Sequence, residues 1–247
     1  MRDRLKVLLL AGTQEARQLA KRLPEVLPAA KITASFAGAV TELPDLGLPT
    51  RIGGFGGGSG LADYCRSQDI DLIVDATHPF AVQMSRNAAS VAEMSGIQIV
   101  RLERPPWEPQ AGDRWQIVAD LAEAATLLPA RSRPFIAVGR KEIGRFYHRK
   151  DIDAVVRMIE PPEVPLPALW QLVLARPSRE VGVEQEFLQS RAVTHVVAKN
   201  SGGHASYAKI EAARNLGLPV LLADRPELPK VPSFGSIEAL CDAVRAL

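Results

Sequence analysis

An apolar run that stops at a Gly-Thr corner constrains the fold of this chain more than any other feature. The run Val7–Ala11 contains no polar residue, and Gly12 and Thr13 separate it from a segment with helical periodicity. Uninterrupted apolar residues are typical of strands buried on both faces of a parallel sheet. The free N–H groups of such a turn and the positive end of the helix dipole lie above the carboxyl end of the strand. The corner therefore predicts an α/β unit that binds a phosphate group.

The alternation of apolar strands and amphipathic helices continues along the rest of the chain. The segment Glu15–Leu23 has helical spacing of its apolar residues, and Pro24 and Pro28 are expected to end this helix. Further strands are predicted over Ile32–Ala37, from Ile70 onward, and over Ile97–Leu102, Trp115–Val118, Pro134–Val138, Asp153–Ile159, Gln171–Ala175, Thr194–Ala198 and Pro219–Leu222. Further helices are predicted over Leu61–Ser67, Phe80–Ser95, Leu121–Leu128, Val183–Gln189, His204–Leu216 and Ile237–Ala246. This order predicts parallel sheets covered by helices.

A proline-rich segment, Arg104–Pro109, is predicted to separate two domains. Proline fixes φ and lacks a backbone donor, so the segment cannot be a regular helix or central strand. The 247 residues are enough for two small domains. We therefore predict a first α/β domain at residues 1–105 and a second at residues 106–247, with packing of the last helix on the first domain as an alternative.

The composition is that of a globular protein and excludes several partner classes. The formal charge of +2 is too small for the concentrated basic surface expected of a nucleic-acid-binding protein. Cys65 and Cys241 lack the spacing of a zinc site or a disulfide framework, which favours a reducing cytoplasm. The apolar run near the start is too short to span a membrane and lacks a signal-peptide pattern. A monomer is compatible with the sequence, which does not give the oligomeric state.

Ser35 lies near the position at which an NAD enzyme carries an acidic residue. In dinucleotide-binding folds, an Asp or Glu about 20 residues beyond the glycine turn binds the ribose hydroxyls of NAD, whereas NADP requires its absence. The predicted second strand carries Ser35 there and no acidic residue. This favours NADPH; a serine at a strand end with no ligand is the alternative.

The glycine-rich segment Gly53–Gly60 is predicted to be a loop rather than a phosphate cradle. It lacks the Lys-Ser/Thr pair of a Walker motif, and the GxGxxG pattern belongs on the first strand of a dinucleotide fold. We therefore assign it no ligand.

A first polar corner follows the predicted strand that begins at Ile70. Open α/β sheets bind their ligands at the carboxyl ends of their strands, and here the chain carries Asp75, Thr77 and His78. Each of these residues is also compatible with helix capping or another structural role. Their concentration at one corner favours a site.

A second polar corner, Lys199–Gly203, follows a strand in the second half of the chain. Lys199 can bind a phosphate or carboxylate, and the side chains of Asn200 and Ser201 can donate hydrogen bonds. Gly202 allows the backbone to approach a ligand closely. An ordinary turn with a solvated lysine is the alternative. No metal site is predicted, because the histidines do not have ligand spacing.

Four motifs spread over nearly the whole chain point in combination to one family. They are Leu-Ala-Gly-Thr-Gln-Glu-Ala at 10–16, Asp-Ala-Thr-His-Pro-Phe-Ala at 75–81, Arg-Pro-Pro-Trp at 104–107 and Lys-Asn-Ser-Gly-Gly at 199–203. With these motifs the chain resembles the precorrin-6A reductase family of the corrin (vitamin B12) pathway. The second motif is the most specific of the four. The glycine content of Gly53–Gly60 departs from the pattern expected of the family.

The resemblance implies an oxidoreductase with two Rossmann-like parallel-sheet α/β domains and an active site in the cleft between them. NADPH is implied to bind in this cleft and to reduce a double bond of precorrin-6A, giving precorrin-6B. The mild positive charge agrees with an anionic tetrapyrrole as the substrate. The resemblance leaves open whether this substrate already carries cobalt.

Site residues are assigned within this hypothesis. The cofactor is expected to bind at Gly12, Thr13, Gln14, Ser35, Thr77, Asn200, Ser201 and Gly202. His78 and Lys199 are the catalytic candidates for donating the proton, with bound water as the alternative. Carboxylates of the substrate are expected to meet Arg104, Arg140, Lys141 and Lys209 through charge-assisted hydrogen bonds, with a solvated surface role as the alternative for each.

Two other functions are compatible with an α/β fold of this kind. One is a dinucleotide-binding sensor without catalytic activity. The other is a different small NADP-dependent oxidoreductase, but a short-chain enzyme usually needs a Tyr-x-x-x-Lys pair. Tyr207 and Lys209 are only two residues apart and so face different directions on a helix.

Overall fold

A computed structural model describes residues 4–36 and 45–247 and divides the chain into two compact units. The first unit comprises Met1–Pro105 and Pro226–Leu247, and the second comprises Pro106–Arg225. The last segment of the chain therefore lies with the first unit, whereas the sequence analysis placed residues 106–247 together and gave this packing as its alternative. The predicted strand residue Ala37 lies outside the described residues.

The first unit is built on one parallel sheet of six strands. Its strands are β1 (Lys6–Ala11), β2 (Lys31–Phe36), β3 (Thr50–Ile52), β4 (Leu72–Asp75), β5 (Gln98–Leu102) and β12 (Ser233–Phe234). Its helices are α1 (Gln14–Val26), α2 (Gly57–Gln68), α3 (Val82–Ser95) and α7 (Ile237–Arg245). The strand order is β3-β2-β1-β4-β5-β12, with every neighbouring pair parallel. This is the strand order of a Rossmann fold, with the order reversing between β1 and β4.

Strand β1 is buried on both faces, as its apolar run predicts. Val7 and Leu9 pack in the cluster formed with α1 and α7, whereas Leu8 and Leu10 pack in the cluster formed with α2 and α3. All four side chains are at most 1% exposed. Because consecutive strand residues point to opposite faces, an unbroken apolar run is what a strand between two helix layers requires.

The second unit is likewise built on one parallel sheet of six strands. Its sixth strand precedes the other five in the chain, whereas that of the first unit follows them. Its strands are β6 (Trp115–Val118), β7 (Pro134–Ile136), β8 (Val155–Met158), β9 (Gln171–Leu174), β10 (His195–Lys199) and β11 (Val220–Ala223). Its helices are α4 (Leu121–Leu127), α5 (Val181–Ser190), α6 (Ala208–Asn215) and a 3₁₀ helix at Ile143–Phe146. The order is β9-β8-β7-β10-β11-β6, again all parallel. The two parallel-sheet α/β domains are therefore as predicted.

Helix α1 includes Pro24, contrary to the prediction, and ends before Pro28. The helix continues to Val26, and the N–H of Leu27 still donates to the carbonyl of Leu23 at 2.8 Å. Proline removes one intrahelical hydrogen bond, but at the last turn the buried side chains of Leu23 and Val26 keep the segment helical.

The glycine-rich segment Gly53–Gly60 is a loop up to Gly56, as predicted, and becomes the first turn of helix α2 from Gly57. Gly53, Gly56 and Gly57 have φ of 113°, 80° and 94°, a region that other residues rarely adopt. Helix α2 begins at Gly57, four residues before the predicted start. Gly60 has a separate role, because a Cβ atom there would lie 1.7 Å from the carbonyl oxygen of Phe55.

Substitution of Gly60 is therefore expected to destabilise the first unit, whereas substitution of Gly58 is not. Gly60→Ala forces helix α2 away from Phe55, and we expect a loss of about 1–3 kcal/mol in the free energy of unfolding. Gly58→Ala is the matched control, because its Cβ would lie 3.6 Å from the side chain of Asn87 and alanine favours helix by about 1 kcal/mol. Urea unfolding measures both. Equal stability of the two variants would contradict this account of the glycines.

Candidate functional site

The corner after β1 is held against the end of β4 by one threonine hydroxyl. Thr13 is the N-cap of α1, where its Oγ1 accepts a hydrogen bond from the N–H of Ala16 at 3.0 Å. The same hydroxyl donates to the carbonyl of Ala76 at 3.1 Å. Thr13 is therefore buried and holds the corner together, while Gly12 beside it is exposed. The first N–H groups of a helix have no partner within it, so this corner presents donors at the carboxyl edge of the sheet.

A buried ion pair holds Thr77 in place on the neighbouring strand. Asp75 accepts hydrogen bonds from the N–H of Thr77 at 3.2 Å and from its hydroxyl at 2.7 Å. The other carboxylate oxygen of Asp75 accepts from Nε of Arg101 at 3.1 Å, and both side chains are at most 5% exposed. Because the hydroxyl proton of Thr77 is directed at Asp75, its oxygen accepts hydrogen bonds, and the hydroxyl of Ser85 lies 3.4 Å away as one donor. Asp75, which the sequence analysis named at this corner, and Arg101, which it did not name, are positioning residues for Thr77.

The position of His78 defines the tautomer of its ring. Its Nδ1 accepts a hydrogen bond from the N–H of Phe80 at 3.2 Å, and its carbonyl accepts from Ala81 at 2.7 Å. An Nδ1 that accepts carries no hydrogen, so the neutral ring bears its hydrogen on Nε2. These bonds also form a turn that precedes α3. The helix therefore begins at Val82 rather than at the predicted Phe80.

Ser35 lies beside an arginine that the sequence analysis did not assign. Ser35 on β2 pairs in register with Arg51 on β3, and NH1 of Arg51 donates to the serine hydroxyl at 3.2 Å. The register across two strands could not be read from the sequence, because 16 residues separate the pair.

Arg104 is engaged within the first unit. Its guanidinium forms an ion pair with Glu15 in the first turn of α1. Burial lowers the pKa of Arg104, and the carboxylate of Glu15 opposes that shift. Its predicted contact with substrate stays a prediction.

Lys199 lies at the carboxyl edge of the second sheet, where the strand order reverses between β7 and β10. Burial lowers its pKa, and attraction to Glu142 opposes this shift. Glu142 belongs to the segment after β7 that also contains the predicted residues Arg140 and Lys141. Arg140 pairs with Glu160 at 2.8 Å, whereas Lys141 is exposed.

The turn after β10 is held by the backbone of Trp107. Oδ1 of Asn200 accepts from the N–H of Trp107 at 2.8 Å, and Nδ2 of Asn200 donates to its carbonyl at 3.1 Å. The indole N–H of Trp107 donates to the carbonyl of Gly203 at 2.8 Å, and Nε of Arg225 donates to that of Asn200 at 2.9 Å. Asn200 therefore uses its amide to fix the turn. Trp107 was part of a recognised motif, but its sequence position does not reveal this pairing.

The backbone of this turn requires glycine and differs from the predicted geometry. Gly202 and Gly203 have φ of 64° and 70°. Helix α6 begins at Ala208, whereas the prediction started it at His204. The turn is thus separated from the helix N-terminus. The N–H groups of Asn200 and Ser201 donate to the carbonyls of Ala223 and Lys199 at 2.9 and 2.7 Å, so an anion would meet the N–H groups of Gly202 and Gly203 rather than the helix dipole.

Lys209 is a buried amine whose charge has no carboxylate in direct contact. Its Nζ donates to the carbonyl of Ser206 at 2.6 Å and lies 5.1 Å from the ring centroid of Trp107. The described part of the chain contains no ion pair to Lys209. Burial lowers its pKa to about 7, with repulsion from Arg157 and Lys199 adding to the shift and Glu184 opposing it.

The predicted residues fall into one group in each unit. The first unit contains Gly12, Thr13, Gln14, Ser35, Thr77, His78 and Arg104; the second contains Arg140, Lys141, Lys199, Asn200, Ser201, Gly202 and Lys209. Within residues 4–36 and 45–247, no cluster of His, Cys, Asp and Glu could hold a metal ion. Over the same ranges, none of the helices combines the length and apolar character of a membrane span.

Replacing Lys209 with methionine is expected to stabilise the protein in a pH-dependent manner. The pKa of Lys209 is about 7 in the folded state and near 10.5 in the unfolded state, so the unfolded state binds more protons between these values. Wild-type stability should therefore rise with pH over this window relative to Lys209→Met. The advantage of the variant is largest at about pH 6 and shrinks toward pH 10. Urea unfolding at several pH values measures it, with the exposed Lys21→Met as control. A difference that does not change with pH would contradict the assignment.

Comparisons with known proteins agree with this architecture and with the predicted resemblance. The family model described as precorrin-6x reductase CbiJ/CobK matches residues 6–245. The precorrin-6A reductase of Rhodobacter capsulatus is 45% identical over 95% of this chain and 94% of its own length. That of Rhodococcus erythropolis is 43% identical over 97% and 96% of the two chains. A solved structure of CobK precorrin-6A reductase superposes with a TM-score of 0.89 at 42% identity, covering 98% of this chain and 97% of the other. The chain therefore belongs to the precorrin-6x reductase CbiJ/CobK family.

Proposed function

We propose that this protein is an NADPH-dependent reductase that converts precorrin-6A to precorrin-6B in cobalamin biosynthesis. The observation that carries the proposal is identity above 40%, over nearly the whole chain, to proteins named precorrin-6A reductase. The reduction adds a hydride to one carbon of a macrocyclic double bond and a proton to its neighbour. NADPH supplies the hydride when bound.

The first unit contains groups that fit a phosphorylated dinucleotide. The corner at Gly12, Thr13 and Gln14 presents backbone donors at the edge of the sheet where Rossmann folds bind a pyrophosphate. Thr77, held by Asp75, presents an oxygen that can accept a hydrogen bond. Ser35 has a guanidinium rather than a carboxylate as its neighbour, which suits a phosphate.

We assign the second unit a role in holding the reacting partners. Its contribution is the turn Lys199–Gly203, whose backbone is fixed by Trp107 before any ligand arrives. Preorganised groups of this kind contribute to catalysis by positioning the reactants. Asn200 acts through the turn, and Gly202 offers its backbone to the cofactor. The N–H of Ser201 donates to the carbonyl of Lys199, so the cofactor contact of Ser201 is assigned to its hydroxyl. The predicted placement of the reaction in a cleft between the domains stays a prediction.

His78 and Lys199 are the candidates for the proton donor. His78 can donate the proton only as the imidazolium, and forming it replaces the hydrogen bond that Nδ1 accepts from Phe80 in the neutral ring. Lys199 has a pKa lowered by burial, which makes its ammonium group a better acid at neutral pH. Lys141 and Arg140 supply positive charge for the carboxylates of the macrocycle, and Arg104 is the corresponding group in the first unit.

Purified protein is expected to oxidise NADPH only when precorrin-6A is present. The nicotinamide absorbance should fall as the spectrum of the tetrapyrrole changes, with equal moles of the two consumed. Binding of NADPH without turnover of authentic precorrin-6A would favour the sensor alternative and contradict the reductase assignment.

Removal of the proton donor is expected to lower kcat by about 10²- to 10⁴-fold. His78→Gln and Lys199→Met are assayed separately at saturating NADPH, with the exposed Lys21→Met as control. The variant that lacks the donor also loses the alkaline limb of the pH–kcat profile, because that limb reports deprotonation of the acid. Unchanged kcat in both variants would contradict the assignment of both residues.

A further inference from the structure

The guanidinium of Arg51 is held at the carboxyl edge of the first sheet by the backbone that follows its own strand. NH1 donates to the carbonyl of Gly53 at 2.6 Å, and NH2 donates to that of Gly54 at 2.7 Å. The planar group stacks on Phe55, with Cζ 3.8 Å from the ring centroid. The positive φ of Gly53 belongs to the turn that brings these carbonyls back toward the arginine. The sequence analysis assigned no ligand to the glycine-rich segment. In the structure, its carbonyls hold the guanidinium of Arg51 in place.

The charge of Arg51 is not neutralised by the surrounding described residues. Its hydrogen bonds go to Ser35, Gly53 and Gly54, and none of the ion pairs within residues 4–36 and 45–247 includes it. A guanidinium has five N–H groups, and these bonds use three of them. Two N–H groups, Nε–H among them, are left to donate. Two neighbouring donors of this kind match the oxygens of a phosphate.

The location of Arg51 defines which phosphate it can bind. In a Rossmann sheet with this strand order, the carboxyl end of the second strand lies beside the adenosine ribose of the dinucleotide, where NAD enzymes place a carboxylate. Here that end carries Ser35, whose partner across the register is Arg51. The pyrophosphate belongs at the β1 corner instead.

We propose that Arg51, together with Ser35, binds the 2′-phosphate of the cofactor and makes the protein select NADPH over NADH. This inference rests on the proposed use of a nicotinamide dinucleotide and assigns its specificity to one side chain. Phe55 and the glycine turn keep the guanidinium in place before the cofactor binds, which reduces the entropy lost on binding.

Equilibrium binding of NADP⁺ and NAD⁺ to Arg51→Gln, measured by isothermal titration calorimetry without substrate, tests the proposal. We expect the Kd for NADP⁺ to rise about 10- to 100-fold, as for loss of a charge-assisted pair, and that for NAD⁺ to change less than about threefold. Arg51→Lys keeps the charge but loses the planar fork, so an intermediate Kd is expected. Arg86→Gln, which removes an exposed charge from the same unit, should change neither Kd.

An unchanged ratio of the two Kd values in Arg51→Gln would overturn the proposal, as would an equal rise in both. If Arg51→Gln does not fold, Arg51→Lys serves as the test. An unchanged preference for NADP⁺ over NAD⁺ in Arg51→Lys would also overturn the proposal. Failure of the proposed function has a different signature. Wild-type protein that binds NADP⁺ selectively but oxidises no NADPH with precorrin-6A contradicts the reductase assignment and leaves the binding result for Arg51 standing.

Discussion

The parallel pairing of two buried strands at the centre of each sheet is the constraint on which the rest of this structure depends. In the first unit β1 lies beside β4, and in the second β7 lies beside β10. At each of these pairs the strand order reverses, so the loops that leave the two strands diverge and leave room for a ligand. Gly12–Gln14 and Asp75–His78 occupy one such point, and Gly139–Glu142 and Lys199–Gly203 occupy the other.

Each corner is stabilised by hydrogen bonds from buried side chains. Thr13 donates a hydrogen bond to the carbonyl of Ala76 and so connects the first corner to the end of β4. Asp75, paired with Arg101, holds Thr77, and the backbone of Trp107 holds the turn at Asn200. Buried polar groups must be paired, since an unsatisfied one costs about 1–3 kcal/mol. These pairings therefore stabilise the fold and position the site at once. Asn200 shows this most clearly, because both polar atoms of its side-chain amide bond to the backbone of Trp107.

The sixth strand of each sheet shows how the two units are connected along the chain. Strand β12 completes the first sheet but follows the entire second unit, whereas β6 begins the second unit and pairs with its last strand, β11. The linkers on both sides of the second unit contribute to one turn, since Trp107 and Arg225 both bond to Asn200. Local sequence gave little sign of β12, because it is two residues long and its pairing depends on a partner about 130 residues away.

The sequence by itself determined the fold class, the two sheets and the corners at which polar residues meet the carboxyl ends of strands. Apolar periodicity is local and follows from burial on one face or on two, so it can be read without a structure. Only the tertiary structure decided which side chains pair. The register that sets Arg51 beside Ser35, the bonds from Asn200 to Trp107 and the burial of Lys209 all join residues distant in the chain or depend on packing. Such contacts are fixed by how strands and helices assemble, and periodicity carries no information about them.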